Sequence, residues 1–171
     1  AMLGKQVANS GAAQQISDSL FAVFGIKNTQ WAVMLTGFIV GITLFYSVGF
    51  VILVPLVFTI ARSTGLSLMS IGLPMLAALS VTHGFLPPHP APSAIAVLFG
   101  ADIGLTLLYG LVVAIPAILI SGPLLGRYLK KVEAKPLKEF LSTTHFQKDE
   151  LPSLWNSILT ALLPVVLIGG A

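Results

Sequence analysis

Residues 31–61, WAVMLTGFIVGITLFYSVGFVILVPLVFTIA, contain no charged side chain. Built as one helix, the segment would measure about 46 Å at 1.5 Å per residue, well beyond the ~30 Å hydrocarbon layer of a bilayer. It is also interrupted, because Gly41, Thr43, Tyr46, Ser47 and Gly49 cluster at its centre between aliphatic stretches. A tilted single helix fits the length alone. A re-entrant helical hairpin fits both the length and the polar centre, since its tip can lie at membrane depth where it is buried in protein or lines a cavity.

The rest of the chain has the same character: 56% of residues are hydrophobic, 9% are charged and the mean hydropathy is +0.95. Those values exclude an ordinary soluble domain and define an all-α polytopic membrane protein. The net charge of +3 is concentrated after residue 126, where it speaks of membrane orientation and not of a nucleic-acid partner. Without cysteine, a disulfide framework, a thiolate metal site and a thiol nucleophile are excluded. The N-terminal AMLGKQVANSG shows no basic region followed by an apolar core, so no signal peptide is visible in it. At the other end ILTALLPVVLIGGA stops inside an apolar run, and the chain is expected to be a fragment of a longer one.

Charge placement orients the segments. Arg127, Lys130, Lys131, Lys135 and Lys138 lie in the polar loop 127–150, which the positive-inside rule makes cytoplasmic. Two crossings fit between Arg62 and that loop, residues 66–99 outward and 104–126 back, so Arg62 is cytoplasmic too. A hairpin at 31–61 puts Lys5 and Lys27 on the same side, whereas a full span would send both outside. Residues 10–24 place Ala13, Ile16, Leu20 and Phe24 on one helical face and Gln14, Ser17 and Asp18 on another. Periodicity alone suits a packed helix equally well, but the position between apolar segments favours the membrane interface. Residues 151–171 begin a further transmembrane helix, expected to be truncated.

Within the crossing 66–99 stands THGFLPPHPAPSA, where Pro87, Pro88, Pro90 and Pro92 accompany His83 and His89. Proline lacks an amide donor and disfavours helical geometry in the residue before it. Helix is therefore expected over 66–82, an extended break over 84–92 and a short half-helix over 93–99. The break loses donors but keeps carbonyls, which can meet substrate hydroxyls, water or a cation. The first amides of the half-helix, near Ser93, Ala94 and Ile95, would offer donors and a positive dipole end to a carboxylate. Small side chains at Ala91, Ser93 and Ala94 permit close approach. A plain surface loop has the same proline content; the polar centre just upstream favours a binding site.

The runs GFIVGITLFYSVGFVILVPLVFTIARS and LPMLAALSVTHGFLPPHPAPSAIAVLFGADIG closely resemble the gluconate:proton symporter family, the gluconate permeases, and SGAAQQI and NTQWAVMLTGF fit as well. The resemblance covers most of residues 2–129, and the PPHP segment is its most specific part. The order of hairpin, broken helix and crossing resembles one repeat of the wider ion transporter superfamily. That resemblance implies inverted repeats, a homodimer in the inner membrane, and a substrate site between hairpin tips and broken helices. Two positions depart from the family pattern. An acidic residue usually precedes VGF where this chain has Ser47, and glycine usually stands where it has Ala91. Serine cannot carry a proton, so weakened coupling is expected if that acid is the family's main proton carrier, whereas coupling survives if the histidines carry the proton.

The reading is then a secondary active transporter importing gluconate, or a similar small hydroxylated monocarboxylate, with protons. Substrate contacts are expected from Thr43, Tyr46 and Ser47 at the hairpin tip and from Thr82, His89, Ala91, Ser93 and Ala94 at the break. His83, His89 and Asp102 are the proton-coupling candidates, as ionisable groups within apolar segments. Each has an ordinary structural alternative: His83 can cap carbonyls of the broken helix, Asp102 can mark the outer interface, and the tip hydroxyls can satisfy helix ends. His145 belongs to the polar loop. No catalytic residue, metal or cofactor is expected. A non-transporting membrane scaffold is one rival. An intramembrane metal enzyme using His83, His89 and Asp102 is a weaker one, because the histidines lack regular i, i+4 ligand spacing.

Overall fold

The computed structural model describes residues 11–132 and 150–169, and among them all regular structure is helical. Helix α1 is Ala12–Phe24, and after a 3-10 turn at Ile26–Asn28 come α2, Thr29–Thr43, and α3, Tyr46–Thr64. Helix α4 is Leu68–Phe85, α5 is Pro90–Leu98 and α6 is Ile103–Leu119. The last continues through a π turn at Ile120–Leu124 into α7, Leu125–Tyr128, and a 3-10 turn at Leu129–Lys131; α8 is Leu154–Gly169.

The interruption read in residues 31–61 is real and falls inside the polar cluster. Leu44 and Phe45 are both extended, with ψ of 145° at each, and they separate α2 from α3. Contacts to α4 give the directions. Gly37 faces Met75 and Ala78, and Gly41 faces Leu79 and Thr82, so α2 and α4 run the same way. Gly49 faces Leu79 while Gly72 faces Val57, so α3 runs against α4. The chain therefore reverses at Leu44–Phe45. Small residues at Gly37 and Gly41 let the α2 and α4 backbones approach, as in small-xxx-small packing between membrane helices.

Helix α4 is the centre of the structure. On one side Ile71, Met75 and Leu79 pack with Val40, Leu53 and Val57; on the other Ala78 and Leu86 pack with Met34, Leu107 and Ala114. The α6 to α7 segment runs against α4, with Gly110 on Leu86, Gly122 on Pro74 and Gly126 on Ser70. Pro123 lies in the π turn, where a residue without an amide donor is tolerated. The outward side of α6, including Leu108, Val112 and Ile115, is exposed and apolar apart from the Tyr109 hydroxyl, as suits a lipid-facing surface. Residues 68–98 and 103–131 are each long and apolar enough to cross a bilayer.

Helix α1 covers the amphipathic segment. Ile16 is fully buried, Leu20 and Phe24 are half-buried and Asp18 is exposed. The helix packs on α2 and α8. Most of the expected polar loop, including Lys135, Lys138 and His145, lies outside the described residues.

The break in the crossing read at residues 66–99 is shorter than the proline content implies. Gly84 and Phe85 complete α4, and only Leu86 to His89 are non-helical; the Pro87–Pro88 peptide is cis. Pro90 begins α5 and Pro92 lies in its first turn. First-turn amides have no intrahelical partner, so proline there removes nothing the helix uses, and its fixed φ suits the helix start.

Candidate functional site

Where α2 ends, its last carbonyls have no partner within the helix. One of them, Gly41 O, is met by His89 Nε2 at 2.8 Å, across 48 positions of sequence. A carbonyl oxygen only accepts, so His89 Nε2 donates. His89 is 4% exposed and stands at the N-cap of α5, so this one ring ties the reversal after α2 to the break after α4. His89 Nδ1 lies 3.3 Å from His83 Nδ1, and the two rings meet at 67° with centroids 4.7 Å apart. Phe45, from the reversal, approaches both imidazoles edge-on at 6.0 and 6.3 Å. His83 is half-buried and Phe45 is 40% exposed, which gives the pair one accessible side.

Thr82 lies one residue before His83 and is completely buried. Its hydroxyl donates within α4, shared between Ala78 O at 2.9 Å and Leu79 O at 3.0 Å. The oxygen presses on the α2 backbone: a Cβ built at Gly41 overlaps Thr82 Oγ1. Thr82 thus fixes how closely α2 and α4 approach, and its proton is already spent.

The other expected contacts divide. Thr43 is the last residue of α2, half-buried beside Leu44. Tyr46 stacks on Phe50, with centroids 6.1 Å apart, and Ser47 is exposed in the first turn of α3. Ala91 and Ala94 are exposed and Ser93 half-buried on α5. The amide cradle expected near Ser93 is largely closed, because Ser93 N–H is bonded to His89 O at 3.1 Å. Prolines at 90 and 92 have no amide to offer, which leaves Ala91 N–H as the first-turn donor ahead of Ser93.

Asp102 is separate from the histidines. It is the N-cap of α6, accepting from Leu105 N–H at 2.7 Å, and all of α5 lies between it and His89. Asp102→Ala is expected to destabilise the protein by ~0.5–2 kcal/mol, the usual cost of losing an N-cap, whereas Asp102→Asn keeps the acceptor. Thermal unfolding in detergent measures both.

Two contributors escaped the sequence reading, the Gly41 carbonyl and Phe45. The spacing of Gly37 and Gly41 signals close helix approach, but nothing local says which carbonyl a distant histidine will meet. Among the described residues no group of three or more His, Asp or Glu side chains is placed to hold a metal ion. An open groove of about 210 Å³ between α3 and α4, lined by Phe50, Val57, Met69 and Leu73 among others, is walled almost entirely by carbon. It has little to offer a polyhydroxy acid, and the polar junction at Gly41, His83 and His89 is the better candidate.

Known proteins agree with this placement in a membrane. The chain is 56% identical over 169 residues to the high-affinity gluconate transporter of Escherichia coli (strain K12), covering 98% of this chain and 38% of that protein. It is 51% identical over 168 residues to the Gnt-II system L-idonate transporter of the same organism, covering 98% and 38%. To the gluconate permease of Bacillus subtilis (strain 168) it is 49% identical over 177 residues, covering 100% and 40%. The chain therefore spans about two fifths of the length of these curated relatives. No solved structure matches it. These relatives are named as transporters and permeases, not as enzymes, and the GntP family permease description matches residues 1–170. The chain belongs to the GntP permease family.

Proposed function

We propose that this chain forms part of a secondary transporter that imports gluconate, or a similar small hydroxylated monocarboxylate, with protons across the inner membrane. The junction of Gly41, His83 and His89 is half of its substrate site, and the rest of the full-length protein supplies the other half. One observation carries the reading: a histidine buried inside an apolar helical body joins the tip of one helix pair to the break of another. Irregular backbone at membrane depth is tolerated where it is buried or lines a cavity, and transporters place substrate and coupling-ion sites at such half-helix ends. Thr43, Ser47, Ala91 and Ser93 lie on the segments bordering the junction and provide the surrounding contacts. Relatives named for gluconate and for L-idonate, both polyhydroxy monocarboxylates, support the substrate class.

Helices α2 and α3 form the re-entrant hairpin of one inverted repeat in this reading. Helix α2 has 15 residues and so measures about 22 Å, too short to cross ~30 Å of hydrocarbon, and the reversal of direction returns the chain to its starting side. Lys27 and Arg62 are therefore expected on the same, cytoplasmic face. Because the chain has no cysteine, single cysteines at those positions can be labelled with an impermeant thiol reagent. Labelling from opposite faces would overturn the hairpin.

Uptake of labelled gluconate by the full-length protein in proteoliposomes, with and without an inward proton gradient, tests the function directly. Gradient-dependent accumulation is expected. No saturable gluconate uptake under either condition would defeat the proposal.

A further inference from the structure

The geometry points to a more specific assignment, which rests on the functional reading above. We infer that His83 and His89 act as a single one-proton site, loaded at His83 Nε2, and that the loaded proton provides the positive charge that receives the substrate's carboxylate.

The argument follows the protons around the two rings. His89 Nε2 donates to the Gly41 carbonyl, which cannot donate in return. A neutral imidazole carries one N–H, so neutral His89 presents Nδ1 as an acceptor. The 3.3 Å contact between the two Nδ1 atoms is then a hydrogen bond only if His83 Nδ1 carries the proton. That leaves His83 Nε2 as the one unprotonated nitrogen of the pair with no place in this chain of bonds. A proton arriving there makes a cation while both existing hydrogen bonds remain.

A second proton has no such place. It would put N–H against N–H across the Nδ1 contact and bring two positive rings to a centroid separation of 4.7 Å in a medium of low dielectric constant. The pair therefore loads one proton and stops. Burial points to the same ring, since His89 is enclosed while His83 has an accessible side.

Among the described residues the carboxylates are Asp18, Asp102 and Glu150; all three are exposed, and none is in hydrogen-bond contact with either ring. Helices α2 and α5 carry no ionisable side chain, α4 carries only His83, and α3 carries Tyr46, which stacks on Phe50, and Arg62 near its far end. Helix α6, which packs on α4 and α5, carries Tyr109, exposed on its surface, and its cap Asp102 is bonded to Leu105 N–H. An uncompensated cation at membrane depth is costly. A substrate carboxylate accepting from His83 Nε2–H removes that cost, and the charges cancel. Proton and anion then tighten each other's binding by the same factor, as linkage requires, and neither is favoured alone. This would be symport built from one imidazole pair, at a site where the hairpin tip carries Ser47 and no acid.

The test uses the full-length protein in nanodiscs with ¹⁵N-labelled histidine, with His83 and His89 resonances assigned by single substitution. Without ligand at high pH, His89 is expected with its proton on Nε2 and His83 with its proton on Nδ1. Lowering the pH should add one proton, at His83 Nε2. Gluconate should raise the midpoint of that step, and its apparent Kd should rise about tenfold for each unit by which the pH exceeds the midpoint. His83 protonated on Nε2 at high pH, or two separate protonations, would overturn the one-proton site. A midpoint unmoved by bound gluconate would overturn the counter-ion role and point to a carboxylate elsewhere in the protein. Absence of gluconate binding would defeat both that role and the functional reading, while the ligand-free titration still decides the proton site by itself.

Discussion

Gly41→Ala is expected to destabilise the folded protein by about 1–3 kcal/mol, the range for overpacking a close-packed interior position. The added methyl overlaps Thr82 Oγ1 and comes within 3.2 Å of Leu79 Cδ2. Neither neighbour yields easily. Thr82 is fully buried with its hydroxyl held by two carbonyls of α4, and Leu79 is also fully buried. The only relief is to push α2 away from α4, which lengthens the bond between Gly41 O and His89 and so disturbs the site along with the fold. Because the obstruction is one oxygen, Thr82→Ala should restore much of the loss in the double variant, a coupling that a double-mutant cycle measures. The readout is thermal unfolding of the full-length protein in detergent. An alanine variant that unfolds with the unaltered protein, or a double variant no better than the single, would show that the Thr82 contact does not set the helix spacing.

His89→Ala has the other large effect, and it divides into two parts. Structurally, it strips the Gly41 carbonyl of its donor in a buried position, at a cost of ~1–3 kcal/mol for an unsatisfied group. Functionally, it removes the acceptor that keeps the His83 proton on Nδ1. Gluconate uptake is expected to fall at least tenfold. His89→Gln separates the parts, because the side-chain amide can donate towards Gly41 O and accept from His83 but cannot titrate. Stability should return with glutamine, and uptake should return in large part if His83 is the ring that loads. Recovery of stability without any recovery of transport would instead make His89 the proton carrier.

Much of the architecture was legible from local physics. A charge-free run longer than a bilayer, with glycines and hydroxyls at its centre, has to be interrupted, and the extended pair Leu44–Phe45 falls within that cluster. The proline-rich stretch has to break a helix, and it does so between Phe85 and Pro90. The break is shorter than a proline count implies, because proline at the start of a helix fits, as Pro90 and Pro92 do. Asp102 shows a signal that the sequence reading missed: it is expected there as a coupling candidate or a mark of the outer interface, yet an aspartate directly before an apolar periodic run is an N-cap signature, and in the structure it caps Leu105.

The composition, the helical class, the places where helices stop and the family resemblance were set by sequence alone, because bilayer thickness and backbone chemistry act on each segment separately. Tertiary structure alone decided which groups meet. The bond from His89 to Gly41 spans 48 positions, and it exists because glycines at 37 and 41 bring α2 against α4 while the break after Phe85 carries His89 to the end of α2. That one contact fixes the proton on His89 Nε2, and through it the tautomer of His83. Thr82 shows the reverse case: its hydroxyl is paired within its own helix, yet only the packed neighbour makes it a spacer. Two histidines in a sequence are two titratable groups; held 3.3 Å apart with one already committed to a carbonyl, they become a single site.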